Sequence, residues 1–277
     1  MKLELIAAKC RRQIVEMVYE AESGHIGGSL SAMDILTLLY HEIMRVNPEN
    51  PCDEQRDRFV LSKGHCTPAL YSALASKGFF PEEDLKLFRS IKAHYSGHPD
   101  MRHVKGVDMS TGSLGQGISA AVGMALAGKL DKKDYKVYCL MGDGELQEGQ
   151  VWEAFMAASK YKLDNLVVIV DLNGLQIDGK TEDVMPVSPV DKKLEAFGFE
   201  VRKADGHSFE ELRKAFTAPR AGDGPLAVVA HTVKGKGVSF MENNAGWHGK
   251  APNAEQYEAA MKELLAEEKR LEGRENE

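Results

Sequence analysis

Short apolar segments alternate with longer amphipathic ones through the second half of the chain. The pattern predicts two helices, over 148–161 and 208–216, and strands over 136–141, 166–171, 199–202 and 226–233. Strands that are apolar along their whole length are buried on both faces, as in parallel sheets whose crossover helices cover both sides. We therefore predict an α/β fold, a mostly parallel sheet with helices on both faces.

The first half of the chain carries further helical and strand patterns. Ser31 and Asp34 stand in the spacing of an N-cap and a capping box for the second predicted helix. The charged segment from about residue 264 predicts a fraying helix end or an exposed extension. A length of 277 residues suits one large α/β domain covering 1–277. The predicted elements are a strand at 58–62 and helices at 3–21, 31–44, 67–78 (ending at Gly78) and 115–130.

Composition excludes several functional classes. The formal net charge is −7, with 35 Lys and Arg against 42 Asp and Glu, so nothing favours nucleic acid as a partner. No apolar run reaches the roughly 18 residues that a membrane span needs, and we expect no signal peptide or membrane partner. The 4 cysteines form no CxxC pair and are expected to be reduced thiols of a cytoplasmic protein.

Polar residues follow two neighbouring predicted strands. Asp143 stands between Gly142 and Gly144 after one strand, and Asn173 follows the next strand, one strand–helix–strand unit of ~30 residues later. Because parallel strands end at the same edge of a sheet, these side chains can converge there. An Asp oxygen, an Asn carbonyl and a backbone carbonyl suit Mg²⁺ or Ca²⁺ holding a phosphate. The alternative is a tight turn in which the Asp is a local cap.

The same stretch resembles the thiamine-diphosphate motif of transketolases. It reads GDGELQEGQVWEA, followed by DNLVVIVDLNGLQIDG. The resemblance covers nearly all of the chain and implies the thiamine-diphosphate-binding fold of that family. The further segments that carry it are ESGHIGGSLS (22–31), VLSKGHCTPALY (60–71), SGHPD (96–100), STGSLGQG (110–117) and HTVKGKGVSFMENNAGWHGKAP (231–252).

The resemblance implies a set of metal-binding and cofactor-binding residues. Asp143, Asn173 and the backbone carbonyl of Leu175 are implied to bind the metal, Mg²⁺ or Ca²⁺. Glu148 matches a family glutamate that lies at the contact between the two cofactor-binding halves and helps to couple them, which implies a catalytic role. The second Asn that the wider motif places before Asn173 is absent, because residue 172 is Leu. The implied thiamine-diphosphate-binding residues are His65, Gly112, Ser113, Leu114, Gly142, Asp143, Gly144, Glu145, Asn173, Lys234 and His248.

Four of the 9 histidines, His25, His65, His98 and His248, adjoin glycine in loop contexts. An imidazole there can project into a cleft and bind hydroxyls or transfer protons near pH 7. The resemblance implies that His25, His98 and His248 are catalytic residues near the carbonyl and hydroxyls of the substrate, and that His65 lies beside the diphosphate. The chain departs from the family in having GHIG where many transketolases have GHPG, and WHG in the last motif.

The remaining basic candidates are less clear from the sequence. His231 is a weaker candidate near the diphosphate, and His41 lies within a predicted helix, where a structural role explains it. His94, His103 and His207 have no motif that supports a function. Lys234 lies on a glycine-rich segment after the last predicted strand, either in a solvated loop or near the cofactor or a sugar phosphate.

The resemblance further implies a reaction and a partner. Transketolases transfer a two-carbon ketol unit from a ketose phosphate such as xylulose 5-phosphate to an aldose phosphate such as ribose 5-phosphate, in the pentose phosphate pathway. A second domain of those enzymes binds the pyrimidine of the cofactor, and this chain shows no segment that matches it. We therefore expect the N-terminal subunit of a split transketolase, active only with a C-terminal subunit in an α2β2 heterotetramer.

Three alternatives remain open at this point. The chain could be a subunit of another thiamine-diphosphate enzyme, a 2-oxo acid dehydrogenase E1 or a deoxyxylulose-phosphate synthase relative. It could also be a homologue that binds the cofactor without turnover. A nucleotide-binding Rossmann protein is disfavoured, because the glycine-rich TGSLGQG follows no convincing strand.

Overall fold

A computed structural model describes residues 2–91 and 93–275, with the side chain of residue 275 left out. In this part of the chain, five parallel strands form the central sheet in the order β1-β2-β3-β7-β6. The predicted α/β fold with a mostly parallel sheet is thereby confirmed. The strands of the sheet are β1 (Arg58–Leu61), β2 (Val137–Gly142), β3 (Leu166–Leu172), β6 (Glu200–Asp205) and β7 (Leu226–His231).

Helices cover both faces of the sheet. Helices α1, α2, α3, α8 and α9 pack on one side, and α4, α5 and α7 pack on the other. A two-stranded hairpin, β4 (Leu175–Gln176) with β5 (Gly179–Lys180), follows β3. The helices are α1 (Leu3–Glu20), α2 (Gly27–Leu38), α3 (Thr67–Lys77), α4 (Gln116–Leu130), α5 (Gly149–Lys160), α6 (Thr181–Val184), α7 (Val190–Ala196), α8 (Phe209–Thr217) and α9 (Ala254–Glu275).

The strands divide their side chains between two hydrophobic cores. Leu140, Ile169 and Val228 are in register and belong to the core under α1, α2 and α3. Their chain neighbours Cys139 and Val168 belong to the core under α4 and α5. Successive residues of a strand point to opposite faces, so an apolar strand contributes side chains to both cores. This is the physical reason why the apolar segments of the sequence predict the sheet correctly.

Helix α4 packs closely on the sheet because its contact positions are small. A Cβ added at Gly117 would lie 2.6 Å from Ser62 Oγ, and one added at Gly128 would lie 2.8 Å from the ring of Tyr135. Glycine at these positions lets the helix approach β1 and the loop before β2. Helix α3 ends as predicted at Gly78, whose φ of 95° is in the left-handed region that favours glycine.

The predicted start of the second helix is wrong. Helix α2 begins at Gly27, and a π-helical turn over Leu39–Ile43 continues it, so Ser31 and Asp34 lie inside the helix. Ser31 Oγ donates a hydrogen bond to Asp171, 2.6 Å away. The Asp34 carboxylate is paired with Arg11. Both polar side chains therefore make buried tertiary contacts, and neither caps the helix.

The C-terminal charged segment belongs to α9. The sequence predicts a fraying end or an exposed extension from about residue 264, and the structure describes a helix that continues to Glu275. Leu264 and Glu268 are buried against α1, where Arg12 Nε donates to Glu268 at 2.8 Å. Among the described residues, no helix combines the length and the apolar character that crossing a membrane requires.

Candidate functional site

The loops that follow four parallel strands meet at one edge of the sheet and border a cleft of about 490 Å³. Its floor carries residues from the loops after β1, β2, β3 and β7. The side chain of Ser113 is instead exposed to solvent. The predicted site residues that line the cleft are His25, His65, His98, Gly112, Leu114, Gly142, Asp143, Gly144, Glu145, Glu148, Asn173, Leu175, Lys234 and His248.

Asp143 connects two of these loops. Its Oδ1 accepts a hydrogen bond from the Gly144 amide at 2.8 Å, and its Oδ2 accepts one from the Gly174 amide at 2.6 Å. The side chain is 2% exposed. Burial, and next the charge of Asp171, raise the pKa of the Asp143 carboxyl to about 6. A cation bound here would stabilise the ionised form of this carboxyl.

Asn173 and Leu175 stand beside Asp143 on the loop after β3. Asn173 Oδ1 accepts from the Leu175 amide at 3.1 Å, and the Leu175 carbonyl accepts from Lys234 Nζ at 3.4 Å. Among the described residues, no three His, Cys, Asp or Glu side chains are grouped as metal ligands. One carboxylate, one amide oxygen and one peptide carbonyl nevertheless fit a hard cation whose remaining ligands are phosphate and water oxygens.

A buried ion pair lies under the same edge of the cleft. Lys63 Nζ donates to Asp171 and, at 3.1 Å, to the Gly28 carbonyl. Asp171 is 0% exposed and also accepts hydrogen bonds from the hydroxyls of Ser31 and Thr232. The facing charges hold the pKa of Asp171 below its ordinary value and the pKa of Lys63 above its own, although burial opposes both shifts.

Lys234 is buried, so the solvated-loop interpretation is wrong for this residue. Its Nζ lies 3.0 Å from His248 Nδ1 and also contacts the Leu175 carbonyl. Burial and the positive charge of Lys63 lower the pKa of Lys234 to about 8. Because an ammonium group only donates hydrogen bonds, Nδ1 of His248 is the acceptor, and the proton of the neutral ring is on Nε2.

Three of the predicted histidines form a cluster on one wall of the cleft. The ring centroids of His25, His65 and His248 are 5.0, 5.1 and 5.3 Å apart. Burial, followed by nearby positive groups, lowers the pKa of His25 to about 4, the pKa of His248 to about 3 and the pKa of His65 well below its ordinary value. All three rings are therefore neutral near pH 7, so each has one donor and one acceptor nitrogen, and the acceptor of His248 is already bonded to Lys234.

His98 reaches the cleft from the loop between α3 and α4. Gly112 lies in the same segment, and a Cβ there would lie 3.3 Å from the His98 ring, so the glycine lets the end of this loop pack against His98. The His98 side chain is more exposed than the other three, and its pKa is also lowered, first by burial and next by Arg89. His98 therefore faces the clustered histidines from a different segment of the chain.

The two glutamates after β2 occupy different environments. The carboxylate of Glu145 accepts hydrogen bonds from Ser62 Oγ and from the amides of Gly115 and Gly142, at 2.5 to 3.1 Å. Its oxygens thus hold three loops of the site together. Glu148 is exposed at the rim of the cleft, immediately before α5.

The other histidines lie outside the lining of the cleft. His41 is half-buried and its Nε2 lies 3.0 Å from Ser76 Oγ, while His231 is exposed at the end of β7. His207 Nε2 accepts from the Val233 amide, and its Nδ1 donates to Asp34. This last arrangement fixes the loop after β7, from which Lys234 projects, and the sequence gives no signal of it. His94 and His103 stack on each other in the loop that carries His98.

Several lining residues were not predicted. They are Gly28, Lys63, Gln147, Gln176 and Ile177. Lys63 directly follows a predicted strand, so the strand-end argument used for Asp143 could have found it. Gln176 and Ile177 belong to the segment NGLQIDG, and only the β4–β5 hairpin shows that they turn back over the cleft.

Comparison with known proteins defines the class of the domain. Residues 3–272 match the family described as transketolase, thiamine diphosphate binding domain. The structure also matches a transketolase from Campylobacter jejuni with a TM-score of 0.88 and 35% identity, covering 98% of this chain and 45% of that one. The TGSLGQG segment precedes α4 without a strand before it, so the Rossmann alternative is wrong.

This chain belongs to the transketolase family. It is 48% identical to one of the subunits of the apulose-4-phosphate transketolase of Phocaeicola vulgatus, covering 99% of this chain and 98% of that protein. It is 45% identical to 6-deoxy-6-sulfo-D-fructose transketolase subunit SqwG of a Clostridium species, covering 93% and 94%. Human transketolase is 42% identical over 94% of this chain, and the match covers 42% of the human enzyme.

Proposed function

We propose that this chain is the thiamine-diphosphate-binding subunit of a two-chain transketolase, and that it transfers a two-carbon ketol unit between sugar phosphates. The observation that carries the proposal is the cleft in which hard oxygen ligands, a buried lysine and neutral histidines converge. Two relatives that match along almost their whole length are themselves named as transketolase subunits. This favours ketol transfer over the oxidative and synthase reactions of other thiamine-diphosphate enzymes.

Asp143, Asn173 and the Leu175 carbonyl would hold a divalent cation, Mg²⁺ or Ca²⁺, and through it the diphosphate. His65 and Lys234 would face the diphosphate oxygens. Gly142 and Gly144 would let the backbone approach the diphosphate closely, while their amides donate to Glu145 and Asp143. Gly112, Ser113 and Leu114 would approach the rest of the cofactor from the loop before α4. Bound thiamine diphosphate would supply the electron sink on which ketol transfer depends.

The neutral histidines would bind the sugar. His25 and His98 can donate to the ketose carbonyl or accept from its hydroxyls, and His248 can donate, without bringing a charge into the cleft. Because Lys234 donates to Nδ1 of His248, the Nε2–H of that ring is directed to other acceptors. Lys234 would thus fix the tautomer with which His248 donates.

Glu148 would contact the partner chain, because it is exposed at the rim of the cleft. Glu145 would organise the site from within, since its oxygens are bonded to the chain itself. The partner that we propose is a C-terminal, pyrimidine-binding subunit in an α2β2 assembly. The cysteines are free thiols, which fits the cytoplasmic location that we propose.

The donor sugar is the finer part of the proposal. Xylulose 5-phosphate with ribose 5-phosphate as the acceptor is the pair expected from the family. The names of the relatives add apulose 4-phosphate and 6-deoxy-6-sulfo-D-fructose as donors to compare. All of them are ketoses that could leave a two-carbon unit, so one assay format serves for each.

The test is a donor-cleavage assay with thiamine diphosphate and Mg²⁺. It is run with this chain by itself, with a C-terminal transketolase subunit by itself and with the two mixed. Turnover only in the mixture would support the proposal, and the donor with the highest kcat/KM would identify the substrate. Turnover by this chain without the partner would contradict the need for one. An inactive mixture that also binds no cofactor would contradict the proposed function.

A further inference from the structure

The side-chain amide of Gln176 borders the cleft without a hydrogen bond. Gln176 lies in β4, and its Nε2 is shielded from solvent with no acceptor among the described residues. An amide donor that has lost water and gained no acceptor lowers stability. Such a group at a ligand-binding cleft points to an acceptor that belongs to the ligand.

Gln176 lies at the end of the cleft that contains Asp143 and Gly144. A Cβ added at Gly144 would lie 3.2 Å from Gln176 Cβ and 3.8 Å from its Oε1. The side chain therefore packs over Gly144, beside Asp143 and next to Leu175. Across the hairpin its register partner is Gly179, which has no side chain. The clustered histidines are carried by other segments of the chain.

Nearby acceptors of the chain are already used. Both Asp143 oxygens accept from backbone amides, Asn173 Oδ1 accepts from the Leu175 amide, and the Leu175 carbonyl accepts from Lys234. What remains at this end is open space, since a Cβ at Gly142 would meet no atom within 4 Å, bordered by the unpaired Gln176 Nε2 and by the ammonium group of Lys234. A neutral donor without an acceptor beside a buried ammonium group suits an anion with several oxygens.

We infer that the Gln176 amide is a diphosphate-binding group that donates from Nε2 to an anionic oxygen of the bound cofactor. The inference rests on the proposed function, because it takes a diphosphate to be the ligand at this end of the cleft. Gln176 is a binding residue in this assignment and takes no part in proton transfer.

The test compares Gln176→Leu and Gln176→Glu with the wild-type chain, each mixed with the C-terminal subunit. Titration calorimetry gives the Kd of Mg²⁺–thiamine diphosphate and of Mg²⁺–inorganic diphosphate. Because a hydrogen bond to a charged acceptor is lost, Gln176→Leu should raise both Kd values by about tenfold. Gln176→Glu keeps the shape of the side chain but places a carboxylate beside the anion, so it should raise both Kd values further.

The matched control is Gln147→Leu. Gln147 borders the same cleft, but its Nε2 already donates to the Met185 carbonyl at 2.8 Å. The Kd of the cofactor should therefore stay at the wild-type value. Thermal unfolding without ligand separates folding from binding. Gln176→Leu should leave the Tm of the free chain unchanged or raise it, because the variant removes a buried donor without an acceptor.

The outcomes distinguish the inference from the proposed function. Wild-type affinity for both diphosphates in Gln176→Leu would overturn the inference, as would an effect confined to the KM of the sugar donor. A lower Tm of the free variant together with an unchanged ligand-induced shift would also overturn it, because that pattern marks a structural role. If the wild-type mixture binds no thiamine diphosphate, it is the proposed function that fails.

Discussion

Replacing Lys63 by Met should destabilise the chain strongly and in a pH-dependent way. In the part of the chain that the structure describes, the substitution leaves Asp171, which is 0% exposed, with the hydroxyls of Ser31 and Thr232 as its side-chain donors. Removing one partner of a buried ion pair costs about 3–5 kcal/mol, because the other charge is left uncompensated. The Met side chain keeps the apolar length of Lys63, so the loss of packing is small.

The expected loss of unfolding free energy can also be worked out from the protonation of Asp171. If Asp171 becomes neutral in the variant, folding at pH 7 must protonate a carboxyl whose unfolded pKa is about 3.9. This costs about 4 kcal/mol, at about 1.4 kcal/mol per pH unit. At about pH 5 the same cost is about 1.5 kcal/mol. The cost of breaking the ion pair and the cost of protonating Asp171 agree at neutral pH, and the protonation cost also gives the pH dependence.

The sign of this dependence differs between the two proteins. In the wild type the pKa of Asp171 is lowered, so the stability that it contributes is present throughout the range above its unfolded pKa and is lost only in stronger acid. In the variant the folded pKa is raised, so stability falls as the pH rises from about 4 to 7. Lys63 also lowers the pKa of His65. Without Lys63 this ring is easier to protonate in the folded chain, so the variant is less destabilised at low pH, which is the same trend as for Asp171.

The assay is urea unfolding followed by far-UV circular dichroism, without metal or cofactor, at about pH 5 and about pH 7. The double variant Lys63→Met/Asp171→Leu should recover part of the loss, because no charge remains buried. The exposed pair of Lys192 with Glu195 provides the control, and Lys192→Met should leave the unfolding free energy unchanged. A deficit of equal size at both pH values, or one below about 1 kcal/mol at pH 7, would refute the reasoning.

Three further predictions concern the cleft. Asp143→Asn should remove the Mg²⁺-dependent part of the thermal shift produced by thiamine diphosphate, and a shift that still depends on Mg²⁺ would show that another group holds the metal. Because the pKa of Asp143 is about 6, the Mg²⁺ affinity measured by calorimetry should be constant above about pH 7 and fall about tenfold per pH unit below about pH 6. A profile that stays flat to about pH 5 would contradict this. Glu145→Gln should lower the unfolding free energy by about 1–3 kcal/mol in urea, since an amide NH₂ would then face one of the donors Ser62, Gly115 or Gly142; wild-type stability would mean that the three loops do not depend on this carboxylate.

The sheet could be predicted from the sequence because its signal is local. A strand buried on both faces is apolar at nearly every position, and β2, β3 and β7 each show this pattern within six or seven residues. Asp171 near the end of β3 is an exception, and its charge is compensated by Lys63. The oxygen ligands follow from the same signal, since Asp143 and Asn173 directly follow two such strands. Knowing where the strands end is therefore enough to bring these two side chains together.

What could not be predicted depends on contacts between distant parts of the chain. Ser31 has the pattern of an N-cap, but its hydroxyl bonds to Asp171, 140 positions away. Lys63 belongs to the site through the same carboxylate, 108 positions away. A single sequence does not state which buried charge faces which. The role of Gln176 could not be predicted for a related reason. It depends on the absence of an acceptor near its side-chain amide, and that is visible only in the folded chain.

The charges under the cleft explain why a cation and an anion should bind there together. Lys63 compensates Asp171, and among the described residues neither Asp143 nor Lys234 forms an ion pair, although both are buried. Each is displaced from its ordinary pKa in the direction that disfavours its charged form. A divalent cation would relieve Asp143, and a diphosphate would relieve Lys234. The diphosphate also supplies the cation with oxygens that the chain does not provide. Binding of the two would then be cooperative, and by linkage each would raise the affinity of the other by the same factor.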